Sequence, residues 1–295
     1  TLGHRMAGRY LEAHGERNPL LLAEHFQRGK VPLAAAPYLL RAAERALAVS
    51  DFDQALRLAE QGAQCEPSSE VRGSLRAIQL AAYFWRDGWT AALPAGQEAI
   101  TLLPEGSEDW CKAAALLLPI SSLTGNQALF FSITEKLAAV EPQPDAQAEY
   151  IRAAAYVVVT LSLTCQKAGS ERFLHLTRKL ESTLPQNELA SRGLLRFAET
   201  VFQRSFGCDV WANMEVAREG LRLSKLAGDN RNQLFVKAFY GMAMAELGDY
   251  AAAETILREE VEFATERHEP LLATHASVML EQMELEAGKV IPLER

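Results

Sequence analysis

Positive charge, sulphur and long apolar runs are all scarce in this chain of 295 residues. Thirty Lys and Arg stand against 38 Asp and Glu, a formal net charge of −8. A chain with that balance lacks the overall positive field that phosphate neutralisation demands, which argues against nucleic acid as a direct ligand. The four cysteines, Cys65, Cys111, Cys165 and Cys208, lie far apart with no C-x-x-C pair. That excludes a disulfide framework or zinc knuckle and reads as reduced, mostly buried thiols of a cytosolic protein. The most apolar stretch, AAAYVVVTLSLTC at 153–165, is shorter than the ~20 residues a bilayer-crossing helix needs. It reads as a buried helix, with a short strand over Val157 to Thr160 as the alternative. The opening TLGHRMAGRYLEAHGERNP has no apolar core behind a basic start, so no signal peptide is read, and a cytoplasmic protein without a membrane partner is expected.

Catalytic punctuation is missing too. There is no G-x-x-x-x-G-K-[ST] loop, no G-x-G-x-x-G after a strand and no G-x-S-x-G elbow. None of the six histidines falls in an H-E-x-x-H spacing. His268 and His275 are seven apart, but Pro270 stands between them. The expectation is a non-enzymatic chain with no catalytic residue, no metal and no cofactor. His25, in LAEHF, reads as a hydrogen-bonded packing histidine, and the acid pairs Glu259-Glu260 and Glu284-Glu286 as solvated helix charge.

What is present is a composition of Ala, Leu, Glu and Arg, which favours helices, and a recurring frame. In ELGDYAAAE a Gly-Asp break is followed by Tyr250 and, three residues on, Ala253. The frame returns at Phe52 and Ala55 and at Trp89 and Ala92. Looser copies stand at Gln127 and Phe130, Ser170 and Phe173, and Trp211 and Met214. Its first positions are 37, 38, 43, 41 and 39 residues apart, a period near 40. Pro67, Pro104, Pro142 and Pro185 each follow the first position by fifteen, where a proline would close a second helix. The spacing predicts helix pairs in which the small residue lets two backbones approach and the aromatic covers the turn. YLLRAAERALAVS and LFVKAFYGMAMAEL are apolar around most of their circumference, as helices sandwiched between neighbours are. A single pair cannot bury its apolar face, so several must stack.

The residues ELGDYAAAE and VSDFDQALRLAEQGAQCEP resemble the tetratricopeptide repeat, whose second helix carries Tyr-x-x-Ala and a closing Pro. The period here is near 40 rather than 34, and only Ala43 and Gly241 supply the small residue of the family's first helix. The resemblance implies an all-α, tetratricopeptide-like α-solenoid of antiparallel helical hairpins, a right-handed superhelix whose concave face is lined by first helices. A second stretch, HRMAGRYLEAHGERNPLLLAEHFQRGKVPLAAAPYLLRAAERAL, is similar to the junction of bacterial STAND-class signalling ATPases where the ATPase module runs into helical repeats; some of these also carry a serine/threonine kinase domain. That resemblance implies a helical junction over 1–33, about six hairpins plus a final unpaired helix over 34–290, a tail at 291–295, and a fragment of a larger regulator.

Under that register, binding residues belong on first helices. Phe84, in YFWRDGW, is expected to project into the groove, while Tyr83 packs within the pair and Trp89 covers its turn. Arg196, Glu199 and Gln203 form a polar stripe, with Lys237 near it, suited to holding a peptide backbone or acidic group; ordinary exposed polarity is the competing explanation. The expected partner is a protein or peptide, including the parent's own ATPase or kinase domain. Two alternatives stay open. One is an oligomerisation or spacing element that self-associates through Met279 and Met283 of the last helix; the other is a helical sensor of small molecules.

Overall fold

Turn chemistry sets where the helices break. In the computed structural model, which describes residues 1–86, 89–266 and 270–288, residues Val49-Ser50-Asp51 separate α3 (Pro32–Ala48) from α4 (Phe52–Ala63). Thr124-Gly125-Asn126 do the same between α7 (Glu108–Leu123) and α8 (Gln127–Ala139). Thr164-Cys165-Gln166 part α9 (Gln147–Leu163) from α10 (Lys167–Glu181), and Leu247-Gly248-Asp249 part α13 (Asn230–Glu246) from α14 (Tyr250–Glu266). The middle residue of each turn is left-handed, at φ +63°, +74°, +58° and +88° respectively. That conformation aims the next amide back at the preceding helix: Asp51 N donates to Ala46 O at 2.9 Å and Asp249 N to Met244 O at 3.1 Å. The third residue then caps the new helix where it is Asp or Asn. Asp51, Asn126 and Asp249 each accept from the amide three residues on, at 3.0, 3.2 and 3.1 Å, which satisfies one of the orphan donors of a helix start.

The remaining helices are α1 (Leu2–Ala13), α2 (Pro19–Arg28), α5 (Ser69–Arg86), α6 (Trp89–Leu102), α11 (Leu189–Phe206), α12 (Val210–Ala227) and α15 (Pro270–Glu286), with one 3-10 turn at Pro144–Ala146. Among the described residues there are therefore fifteen α-helices and no strand. α4, α6, α8 and α10 end two to four residues before Pro67, Pro104, Pro142 and Pro185. The stretch 153–165 is helical, with Ala153, Ala154, Ala155, Val157, Val158 and Leu161 buried in α9.

Contacts divide the chain into two compact units, Thr1–Ala146 and Gln147–Arg295. In the first, consecutive helices pack on one another and the odd-numbered α3, α5 and α7 also pack in series. Its core includes Phe26, Tyr38, Leu39, Leu58 and Leu75 around tightly buried alanines. In the second, α9, α11, α13 and α15 pack in series while α10, α12 and α14 each pack on the helices before and after them. α13 consequently buries residues all round its circumference, Val236, Ala238, Phe239, Met242 and Ala245 among them.

The structure corrects two expectations, one about the frame and one about the last helix. The residue that is always buried is the one three places on: Ala55, Ala92, Phe130, Phe173, Met214 and Ala253 are each at most 2% exposed. The aromatic is not a dependable turn cover, since Trp211 is 62% exposed and Tyr250 is also exposed. A side chain on the first turn of a helix stands beyond the end of its partner, whereas one a turn further in meets it. The last helix also has partners: α15 packs on α13 and α14, and Met283 is fully buried with Ala238, Met242 and Leu257. Met279 packs against the same cluster, which withdraws the methionine face on which self-association was argued.

Candidate functional site

Phe84 does not project into a groove. It is 5% exposed, in edge contact with Trp85 at 4.7 Å between ring centres. Tyr83 is the half-buried ring, with Arg86 over its face at 6.0 Å, and Arg86 pairs with Asp53 of α4. Two neighbours on a helix point about 100° apart, so the assignment of faces here was turned by one residue.

Arg196 and Glu199 are likewise engaged rather than offered. Arg196 pairs with Glu199 one turn on and with Glu181 of α10 at 2.5 Å. Arg178 of α10 reaches Glu199 at 2.8 Å, and Arg192 reaches Glu181 at 3.5 Å and donates to Leu184 O at 3.0 Å. Glu199 is buried. Burial works against the Arg196 charge, but Glu199 and Glu181 outweigh it and hold its pKa above the ordinary value. Gln203 lies half-buried a turn further along α11. Arg196 and Glu199 thus face α10, and a Cβ on Gly220 of α12 would stand 3.1 Å from Arg196 Cβ. Lys237 is engaged with a different helix. It pairs across α14 with Glu260 and, at 3.1 Å, with Glu259.

Arg196 and Lys237 nonetheless have something in common, which Arg76 shares. Each is the eighth residue of its helix, α11, α13 and α5, and each lies between even-numbered helices. Arg76 meets Glu98 of α6 at 2.7 Å and Glu60 of α4 at 3.5 Å, and donates to Gln79 at 2.6 Å. Gln79, buried, donates in turn to Glu60 at 3.2 Å. Gln79 and Glu199 both stand three residues after the base. These three positions are 120 and then 41 residues apart, multiples of the sequence period, and that spacing is the signal by which Arg76 could have been found.

Elsewhere in the second unit, side chains tie odd-numbered helices to one another. Tyr156 of α9 donates to Asn232 of α13 at 3.0 Å, and Arg152 approaches Asp229, the cap of α13, at 3.8 Å. Arg204 of α11 pairs with Glu246 of α13 and, at 3.4 Å, with Glu286 of α15. In the first unit Ser74 of α5 donates to Asp109 of α7 at 2.6 Å. Burial, then the Asp109 charge, raises the pKa of Glu44.

A cleft of about 210 Å³ opens between α13 and α14, lined by Gln233, Leu234, Lys237, Glu259, Glu260 and Phe263. Glu260 is buried and its Oε2 has no hydrogen-bond partner. Burial raises its pKa and the Lys237 ammonium opposes that rise; for Lys237 itself burial lowers the pKa, but Glu260 and Glu259 outweigh it. Reading Glu259 and Glu260 together as solvated charge held only for Glu259, because adjacent residues diverge around a helix. His25 faces His4 of α1, Nδ1 to Nδ1 at 3.3 Å, a packing role between helices. His275 rests on Phe235 and Phe239; His268 lies outside the described residues. Among the described residues no group of three His, Cys, Asp or Glu is placed to hold a metal ion, and no helix is long and apolar enough to cross a membrane. Cys65 and Cys111 are buried, but Cys165 and Cys208 are exposed, against the expectation that most would be buried.

Fold and ion clusters together define, among the described residues, an all-helical protein whose helices pack consecutively within each unit and are cross-tied by basic residues at matching positions. No protein-family model matches the chain, and no curated protein matches it either.

Proposed function

We propose that the chain is a non-catalytic, tetratricopeptide-like repeat scaffold that binds a protein or peptide and serves as the sensing segment of a larger signalling protein. The observation that carries this reading is the matched position of Arg76, Arg196 and Lys237 on helices that each pack on the next odd-numbered helix of their own unit. A unit that recurs every 40 or so residues and ties itself to its neighbours is the architecture by which repeat proteins display extended surface for partners. The exposed row Leu2, Met6 and Tyr10 on α1, at four-residue intervals, is a helix face suited to packing on a further domain, and supports a junction with an ATPase or kinase module. Ligand binding would act by shifting the balance between two arrangements of the parent.

The test is selection of peptides from a random library on the purified full chain, followed by hydrogen exchange with the winners. The reading expects an enriched class that protects amides on at least two adjacent helix pairs. Selection that enriches nothing over an unrelated helical protein overturns it.

A further inference from the structure

The three basic clusters differ in charge balance, and the difference falls where the cleft is. Around α5, Arg72 and Arg76 face Glu60 and Glu98, and the amide of Gln79 fills the remaining place. Around α11, Arg178, Arg192 and Arg196 face Glu181 and Glu199. Around α13, Lys237 is, among the described residues, the one base paired with Glu259 and Glu260, with Lys225 of α12 acting on Glu260 only at longer range. The extra carboxylate is the one that is 3% exposed with Oε2 unpartnered. A buried carboxylate oxygen without a partner is costly, and a cation brought to it recovers much of that cost.

We infer that the cleft between α13 and α14 receives the cationic side chain, lysine or arginine, of a peptide ligand. The cationic head meets Glu260 Oε2, the oxygen that the Lys237 ammonium, bridging Glu260 Oε1 and Glu259, leaves unpartnered; the aliphatic stem lies along Leu234 and Phe263, and the Gln233 amide faces the peptide backbone. The volume, about 210 Å³, is below the ~300 Å³ at which pockets for whole small molecules begin and suits one long side chain. This inference rests on the scaffold reading and specifies its ligand: a basic residue beside an apolar one, rather than the acidic group that Arg196 and Lys237 suggested.

The experiment titrates the full chain with the capped peptide acetyl-Ala-Leu-Lys-Leu-Ala-amide, its norleucine analogue and its glutamate analogue, read by calorimetry and by amide shifts. The lysine peptide is expected to shift the amides of Glu260 and Phe263 and to bind at least tenfold more tightly than the other two. Glu260→Gln should weaken it at least tenfold. Glu259→Gln, at an exposed position that does not threaten folding, should weaken it two- to threefold. Equal binding of the lysine and norleucine peptides overturns the inference, as does unchanged binding by a folded E260Q. Should E260Q fail to fold, E259Q and the loss of affinity between low and high salt decide the matter, and no change in either overturns it. Library peptides that still bind while the lysine peptide does not would sink this inference and leave the scaffold; a chain that binds none sinks both.

Discussion

Ser50 and Cys165 adopt the left-handed conformation that Gly125 and Gly248 supply in the equivalent turns. A residue with a Cβ pays roughly 1–2 kcal/mol there, partly offset by the greater freedom of glycine in the unfolded chain. Cys165→Gly is therefore expected to stabilise the chain by about 1 kcal/mol, seen as a higher denaturant midpoint with unchanged slope. The Arg196 cluster makes the opposite prediction. Glu199→Ala leaves two arginines without their shared carboxylate and should cost about 3 kcal/mol. Joint replacement by Arg196→Met and Glu199→Leu should cost clearly less, which denaturant unfolding of the three variants would reveal. His275 supplies a pH signature, because burial holds its imidazole down at about 4. Between an unfolded value near 6.5 and that value the unfolded chain binds more protons. Stability is then complete only well above pH 6.5 and falls as pH drops through the window, by about 2 kcal/mol at pH 5. His275→Phe should flatten the stability curve between pH 7 and pH 5.

Element boundaries were legible because their causes are local. A left-handed residue followed by Asp or Asn stops one helix and starts the next whatever surrounds it, and the frame positions 52, 89, 127 and 250 are the first residues of α4, α6, α8 and α14. Proline alone was a poorer guide: Pro94 and Pro119 lie inside α6 and α7, so the marker is proline at a fixed distance from the frame. Close approach was visible only in part. Ala55, Ala92 and Ala253 are buried as small residues should be, but α11 and α12 meet through Gly193 and Gly220, which no frame singled out. A Cβ on Gly193 would stand 2.8 Å from Ser224 Oγ and 3.2 Å from the Ser224 amide nitrogen. Gly193→Val should force these helices apart at a cost of about 2 kcal/mol. Calorimetric unfolding checks it, and a variant as stable as the parent would show that the crossing is looser than the distances imply.

For the molecule as a whole, the two compact units predict that residues 1–146 and 147–295, produced separately, each give a helical spectrum and a cooperative unfolding transition, as bodies with their own cores do. A half that melts without cooperativity would show that the division by contacts is not a division in stability. The sequence by itself determined the all-helical class and many of the places where helices break, with frame positions 170 and 211 falling one to three residues inside α10 and α12, because propensity, capping and left-handed turn residues act within a few positions along the chain. Only the tertiary structure decided what each helix face meets. Periodicity says that Arg196, Glu199 and Gln203 share a face, but α11 has neighbours on several sides, and nothing in the spacing says whether that face meets solvent or α10. The same limit concealed Phe84 in the core and Glu260 beneath Glu259. For Glu199 and Glu260 the partner is the helix just before in the chain, and which face it meets depends on the angle of approach that the packing of all their side chains sets.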